Sequence, residues 1–456
     1  MQSPFSAAIA DKPMRPFQWV VIVAALIVLV IEGIDLQSLP IVTPLILEEW
    51  GIDRAEFGWA LSAALFGMAF GSSLGGWLGD RWGRLKALYL AALIFGASTI
   101  AAAYAHDVLA LSLIRVAGGL GFGAGYPNAL ALVNDWVPAR LRTYVIAALS
   151  IGIPLGTSIA ALLVPPLLPG YGWRGIFLIF GTGSILIGTA LFLVLREAPA
   201  WLLARGRREQ AQRNAARVIG PGIELIAEPA TAVEQAAGTR SIGVLHASNK
   251  WLNIGIGLSF AACTTLIYGV SSWAPIVLTS SGVTTGQAAS AMGTFGILSM
   301  AGAIAAGWLV RRFGSRAVIV GCATLTFASL LALGWVIETM SAAPSWNERQ
   351  AAALLVGLIG GLISMNIATF YAVMTVGYPQ SCRAAAIGFH LTVARAGVIT
   401  MVFFGGYLMN MGDGTFWFYF GTMAAISLLM YAAAFLVDRH IEPLKREKVG
   451  ALQPHG

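Results

Sequence analysis

Long apolar runs separated by short polar breaks dominate this chain. At about 20 residues per bilayer crossing, apolar spans fall near residues 17–41, 57–79, 86–105, 108–134, 143–168 and 173–195, and again near 251–279, 287–310, 316–340, 350–378, 384–410 and 414–437. The pattern predicts an all-α membrane protein of twelve transmembrane helices. A stretch rich in Arg, Glu, Gln and Ala separates two sets of six and reads as a partly helical linker. The expected organisation is an N-terminal six-helix half at 1–195, a linker at 196–250, and a C-terminal half with its tail at 251–456.

Charge gives the orientation. With the N-terminus inside, the loops and tails on that side carry 23 Lys and Arg residues, and the other side carries only Arg54, Arg174 and Arg349. That asymmetry predicts two cytoplasmic termini and a cytoplasmic linker. The first apolar run is too long for a signal peptide and lacks a clear small-residue cleavage site, so it is expected to remain as a helix.

The halves also echo each other. Gly76-Trp77-Leu78-Gly79-Asp80-Arg81-Trp82-Gly83 recurs as Gly307-Trp308-Leu309-Val310-Arg311-Arg312-Phe313-Gly314, and Pro138 followed by Arg142 recurs as Pro379 followed by Arg383. Pseudo-symmetric repeats of this kind place a substrate site near the midplane between the halves.

Composition removes several function classes. Charged residues make up 11% of 456 positions, about half the usual soluble fraction. The net charge of +7 is scattered through short loops, a topology signal and not a nucleic-acid surface. Cys263, Cys322 and Cys382 lie far apart without metal or CxxC spacing, so neither a disulfide nor a metal site is expected. Crowded glycines at 118, 119, 121, 123 and 125 follow no strand, and no Walker loop or HExxH occurs. No cofactor is expected. A membrane-embedded enzyme would need a catalytic cluster that the chain does not assemble.

Four charged positions inside spans carry the candidate chemistry. Glu32 and Asp35 sit in the first span, where each charge costs roughly 2.5–3.5 kcal/mol unless paired, protonated or hydrated. Their spacing of three puts them on one face, looking toward one cavity, and Gly33 admits a close neighbour. Arg115 lies roughly 9 Å into the fourth span at 1.5 Å per residue, a depth that permits pairing with Asp35. Proton coupling is the functional reading of Glu32, Asp35 and Arg115; a fixed ion pair between helices is the bland one. Arg395, near the midplane of the eleventh span, has no neighbouring acid, and its guanidinium fork matches a carboxylate. His390 nearby suits either a proton path or substrate hydrogen bonding, and equally a satisfied buried histidine. Trp50, Trp59 and Trp346 read as interfacial anchors.

The loop Gly76-Trp77-Leu78-Gly79-Asp80-Arg81-Trp82-Gly83-Arg84-Leu85-Lys86 resembles the G-x-x-x-D-R-x-G-R signature of the major facilitator superfamily. Arg115-Val116-Ala117-Gly118-Gly119 is similar to its fourth-helix R-x-x-x-G-G motif, and Arg196-Glu197-Ala198-Pro199 to its acidic-proline signature after the sixth helix. The acid-Gly-x-Asp pattern of the first helix, Tyr126-Pro127-Asn128-Ala129, and Ala394-Arg395-Ala396-Gly397 most resemble the aromatic acid:proton symporters. Glu32 stands where that group usually has Asp, and Arg311 and Ser315 leave the second-half copy of the loop signature incomplete.

The resemblance implies a major facilitator fold and a monomeric secondary transporter of a bacterial inner membrane, importing a small organic anion such as a hydroxybenzoate with protons, without nucleic-acid partners. Asn128, Tyr268, Asn366 and Tyr371 join Arg395 and His390 as expected substrate contacts. Gly76, Asp80, Arg81, Gly83, Arg84, Asp135, Arg140 and Arg142 form an expected cytoplasmic gate. Alternatives of the same fold are a sugar or aliphatic-acid importer and a drug exporter; a membrane sensor is a further reading.

Overall fold

A computed structural model describes residues 2–219, 223–226, 243–341, 343–378, 382–412 and 414–443. Parts of the expected linker, Pro379 and most of the C-terminal tail lie outside these. Eleven described helices are long and apolar enough to cross a bilayer. One of them, Gly152–Val194, runs 43 residues, about 65 Å or twice the hydrocarbon core. It breaks at Gly172, whose φ of 61° and ψ of −179° are not helical, just after Pro165, Pro166 and Pro169. Its two limbs, 152–171 (α5) and 173–194 (α6), complete a set of twelve crossings.

The other crossings are α1 (Pro16–Trp50), α2 (Arg54–Trp82), α3 (Arg84–Ala102), α4 (Val108–Trp136), α7 (Lys250–Ser280), α8 (Thr285–Phe313), α9 (Ser315–Thr339), α10 (Trp346–Gly377), α11 (Arg383–Asn410) and α12 (Trp417–Leu436). The expected continuous span 143–168 is instead interrupted: a short helix, Ala139–Leu149, ends before α5 begins. Packing repeats with an offset of six helices. α2 lies on α4 as α8 lies on α10, α1 on α5 as α7 on α11, and α3 on α4 as α9 on α10. The sequence echo is therefore accompanied by a repeated set of helix contacts.

One departure from the all-helical expectation lies outside the bilayer. Gln2–Pro4 (β1) pairs in parallel with Glu224–Ile226 (β2), because extended backbone there must find hydrogen bonds of its own. Lys12 Nζ donates to the Ile219 carbonyl at 3.2 Å, and Arg140 Nη2 to the Lys12 carbonyl at 2.8 Å. At the other end of the chain, Arg439 Nη1 donates to the carbonyl of Gly377 at 2.7 Å. The N-terminal segment, the linker and residue 439 thus share one face, called the basic face below.

Close approach of α2 and α4 depends on a stripe of glycines at 67, 71, 75 and 79, one per helical turn. A side chain at Gly71 would collide with the Leu120 carbonyl oxygen, and one at Gly75 with Ala124. Small residues at this spacing are how membrane helices gain contact where no hydrophobic effect drives association.

The gap between the two sets of six opens toward the basic face. At the far face α2 and α11 touch through backbone: a side chain at Gly58 would strike the Phe403 carbonyl, and one at Gly406 that of Arg54. Asn410 donates to the Asp53 carboxylate there, and Trp59 meets Phe403 edge-on at 4.5 Å between centroids. Toward the basic face Phe70, Leu74, Phe389 and Val393 of the same two helices are exposed.

Candidate functional site

Asp35 and Arg115 are buried and joined by a hydrogen-bonded ion pair of 2.7 Å, as their depths along α1 and α4 permitted. Thr99 of α3 donates to the second carboxylate oxygen at 2.9 Å, and the guanidinium stacks 5.3 Å from the Phe177 ring centroid of α6. Arg115 Nε and Nη2 have no partner among the described residues. Beside the pair is a cavity of about 30 Å³, room for a water, reaching from Asp35 and Arg115 to Tyr268 and Ser272 of α7.

Glu32 does not share that cavity. It borders a second one of about 20 Å³, and Phe95 and Phe122 line both. The spacing of three predicted one cavity for both acids, but Phe95 of α3 and Phe122 of α4 stand between two separate ones. Glu32 is buried against Gly125, and its Oε2 has no partner among the described residues. It lies within electrostatic reach of Tyr126 and Tyr268.

Tyr268 is also reached by Arg395, and Tyr371 by both Tyr126 and Tyr268. These groups come from α1, α4, α7, α10 and α11, so charges and phenols of both halves lie within electrostatic reach of one another. Tyr126 and Tyr371, each over a third exposed, border its open space. Arg395 Nη1 is buried and unpartnered among the described residues. The arrangement is a half-open cleft with a cation, three phenols and a carboxylate. Tyr126 was read in the sequence only as part of a resemblance; its spacing one turn beyond Phe122 was the available signal. Gln37, whose Nε2 donates across the gap to the Ser271 carbonyl at 3.3 Å, carried none.

Two expected contacts sit elsewhere, and a third is buried. Asn128 is buried between α2 and α4, donating to the carbonyls of Gly75 and Ala124 at 2.8 Å each, so its amide clasps two helices of one half. His390 is fully buried, with Nε2 2.8 Å from the Tyr378 hydroxyl, which donates in turn to Asn253. It lies five residues from Arg395, about 140° around the helix, and so turns away from the cleft. Asn366 is fully buried, with neither amide atom partnered among the described residues.

The expected gate residues are divided among several roles. Arg84 Nη1 pairs with Asp135 at 2.7 Å and lies 3.9 Å from the Asp80 carboxylate through Nη2, joining α2, α3 and α4 of the same half. Gly83 has a φ of 106°, and a side chain there would strike the Glu197 carboxylate. That carboxylate accepts from the amides of Arg84 and Leu85 at 3.2 and 3.1 Å, capping α3 from the far end of α6. Burial pushes the Glu197 carboxyl up from its ordinary range, against the opposing pull of these donors. Arg81 only stacks on Trp77, Arg140 holds the N-terminal segment, and Arg142 Nε caps the Val137 carbonyl at 3.1 Å. Gly76 meets nothing where a side chain would go. Each of the bonds just described stays within the first half.

Among the described residues no cluster could hold a metal ion, and none of the three cysteines forms a disulfide. The chain is 29% identical over 418 residues to the 4-hydroxybenzoate transporter PcaK of Pseudomonas aeruginosa, covering 89% of each. It is 27% identical over 418 residues to the gallate transporter of Pseudomonas putida, again covering 89% of each. A crystal structure of a D-xylose-proton symporter superposes with a TM-score of 0.68 at 18% identity, over 93% of this chain and 98% of that one. A match over residues 21–399 joins the repeated helix packing and the cleft in one conclusion: the chain belongs to the Major Facilitator Superfamily of transporters.

Proposed function

We propose that the protein imports a small aromatic carboxylate together with protons, by alternating access, across a bacterial inner membrane with both termini cytoplasmic. The observation that carries this reading is the cleft cation: Arg395 has an unpartnered guanidinium nitrogen amid Tyr126, Tyr268 and Tyr371. A guanidinium takes a carboxylate in bidentate fashion, and phenol rings supply faces for an aromatic body. The transporters of 4-hydroxybenzoate and gallate among its relatives support that cargo class.

Glu32, Asp35 and Arg115 form the proton-coupling group in this reading. The cavity between the Asp35–Arg115 pair and Tyr268 offers a place for water between the pair and the cleft. Binding an anion beside Arg395 while a proton enters the acids leaves the net charge of the loaded protein unchanged. The halves then rock between the state open to the basic face and its opposite.

The test is uptake of labelled 4-hydroxybenzoate, protocatechuate, an aliphatic diacid and a sugar by cells expressing the chain, with and without a protonophore. Saturable aromatic-acid accumulation that collapses with the protonophore is expected, and Asp35→Asn is expected to accumulate nothing. Accumulation of the sugar or diacid alone removes the cargo assignment. Unchanged accumulation by Asp35→Asn removes its coupling role.

A further inference from the structure

A recess of about 550 Å³ on the basic face is lined by Arg81, Trp82, Lys86, Trp201, Arg205 and Arg207. It lies at the ends of α2 and α3, beside the short helix Pro199–Ala204, and away from the cleft. Four cations line it and no acid does. Arg205 and Arg207 stack 5.2 and 6.0 Å from the Trp201 ring, and Arg81 stacks 5.3 Å from that of Trp77. The Asp80 peptide carbonyl accepts from Trp201 Nε1 at 3.0 Å and Arg205 Nη2 at 2.7 Å, which fixes the rear wall. The Asp80 carboxylate is drawn to Arg84, 3.9 Å away. Among the described residues, neither Lys86 nor Arg207 makes a side-chain hydrogen bond or ion pair.

Four like charges around one recess repel one another unless an anion joins them. The depth of the recess decides the source of that anion. Trp77 and Trp82 are about half exposed on the last turns of a bilayer-crossing helix, where indoles mark the headgroup level. We propose that this recess binds the phosphate headgroup of an anionic phospholipid. Arginine forks and a lysine hold the phosphodiester oxygens, and Trp82 and Trp201 flank the glycerol. The site anchors the α2–α3 loop and the segment after α6 to the membrane surface, and it does not depend on which cargo the cleft carries.

The experiment titrates the purified full chain in detergent with phosphatidylglycerol or phosphatidylcholine and counts retained lipid by native mass spectrometry. The Lys86→Gln/Arg207→Gln variant removes two cations that make no hydrogen bond, so its fold is expected to persist, with an unchanged thermal midpoint. Wild type is expected to prefer phosphatidylglycerol, and the variant to bind it about 30-fold more weakly with phosphatidylcholine unchanged, from about fivefold per cation near a surface. Retention by wild type must fall as salt rises, since screening reaches 10 Å at about 0.1 M. Equal binding of the two lipids, an unchanged variant, or salt-insensitive retention overturns the proposal. Displacement of phosphatidylglycerol by millimolar inorganic phosphate overturns the lipid assignment in favour of a free anion.

Discussion

At the scale of single residues, charge without a partner separates the cleft from its surroundings. Asp35, Arg115 and Arg84 each have a bonded counter-ion, whereas Glu32 Oε2 and Arg395 Nη1 have none among the described residues. Hydrogen bonds to charged groups contribute about 1.5–3 kcal/mol. Arg395→Ala is therefore expected to weaken binding of an aromatic carboxylate about tenfold to a hundredfold, and to leave binding of its neutral amide analogue within a few-fold. Calorimetric titration of both ligands checks this, and equal losses would remove the salt bridge. Glu197 gives a prediction of stability. Unfolded, it titrates near about 4.3; folded, burial raises it, so the unfolded chain ionises first as pH rises. Its contribution is most favourable below that value and declines as pH climbs toward the raised one. Thermal midpoints of wild type minus those of Glu197→Gln should fall from pH 4 upward, and a flat difference contradicts the burial argument.

At the scale of helices, contact is decided by where small residues fall on the α2 surface. Gly71 faces the backbone of Leu120, which has no room to yield, while Gly76 faces open space. Gly71→Ala is expected to destabilise by about 1–3 kcal/mol through overpacking. Gly76→Ala should be neutral or slightly stabilising, since alanine favours a helix by about 1 kcal/mol over glycine. Thermal unfolding in detergent measures both. Loss of transport in a stable Gly76→Ala protein would assign that glycine to a contact made when the cleft closes. The same helices mark what the sequence made legible. Span lengths, the repeat and the depths of Asp35 and Arg115 follow from counting along a helix axis. Rotation about the axis and the side chains of neighbouring helices do not, so the division of Glu32 from Asp35 by Phe95 and Phe122 was hidden, as was the turn of Asn128 toward α2. His390 was partly legible, because its spacing from Arg395 already sets the two on different faces. Glu197 reaches across 113 residues to cap Arg84, a pairing that no local pattern encodes.

For the molecule as a whole, the far-face ends of α2 and α11 form a lock whose opening the proposed cycle requires. Its parts are the backbone contacts at Gly58 and Gly406, the Asp53–Asn410 hydrogen bond, and Arg54 stacked 5.5 Å from the Phe416 ring. On the basic face Phe70 and Leu74 of the one helix and Phe389 and Val393 of the other are exposed. Two packed arrangements of rigid halves, and no continuous deformation between them, make a rocking transporter. Replacing Asp53 and Asn410 with cysteine and bridging them with a short bis-thiosulfonate should hold the lock shut. The native cysteines are buried and make a clean background. Bridged protein in proteoliposomes is expected to lose uptake and to regain it on reduction. A third cysteine, Val393→Cys, should remain open to a bulky maleimide throughout, because the bridge traps the state already open on that face. Uptake that survives complete bridging would mean that these ends need not part, and the cycle would have to open at the far face by some other pair of helices. Loss of uptake together with loss of Val393→Cys labelling would mean that the bridge closes both faces, placing an occluded state, and not the one described, at the bottom of the energy landscape.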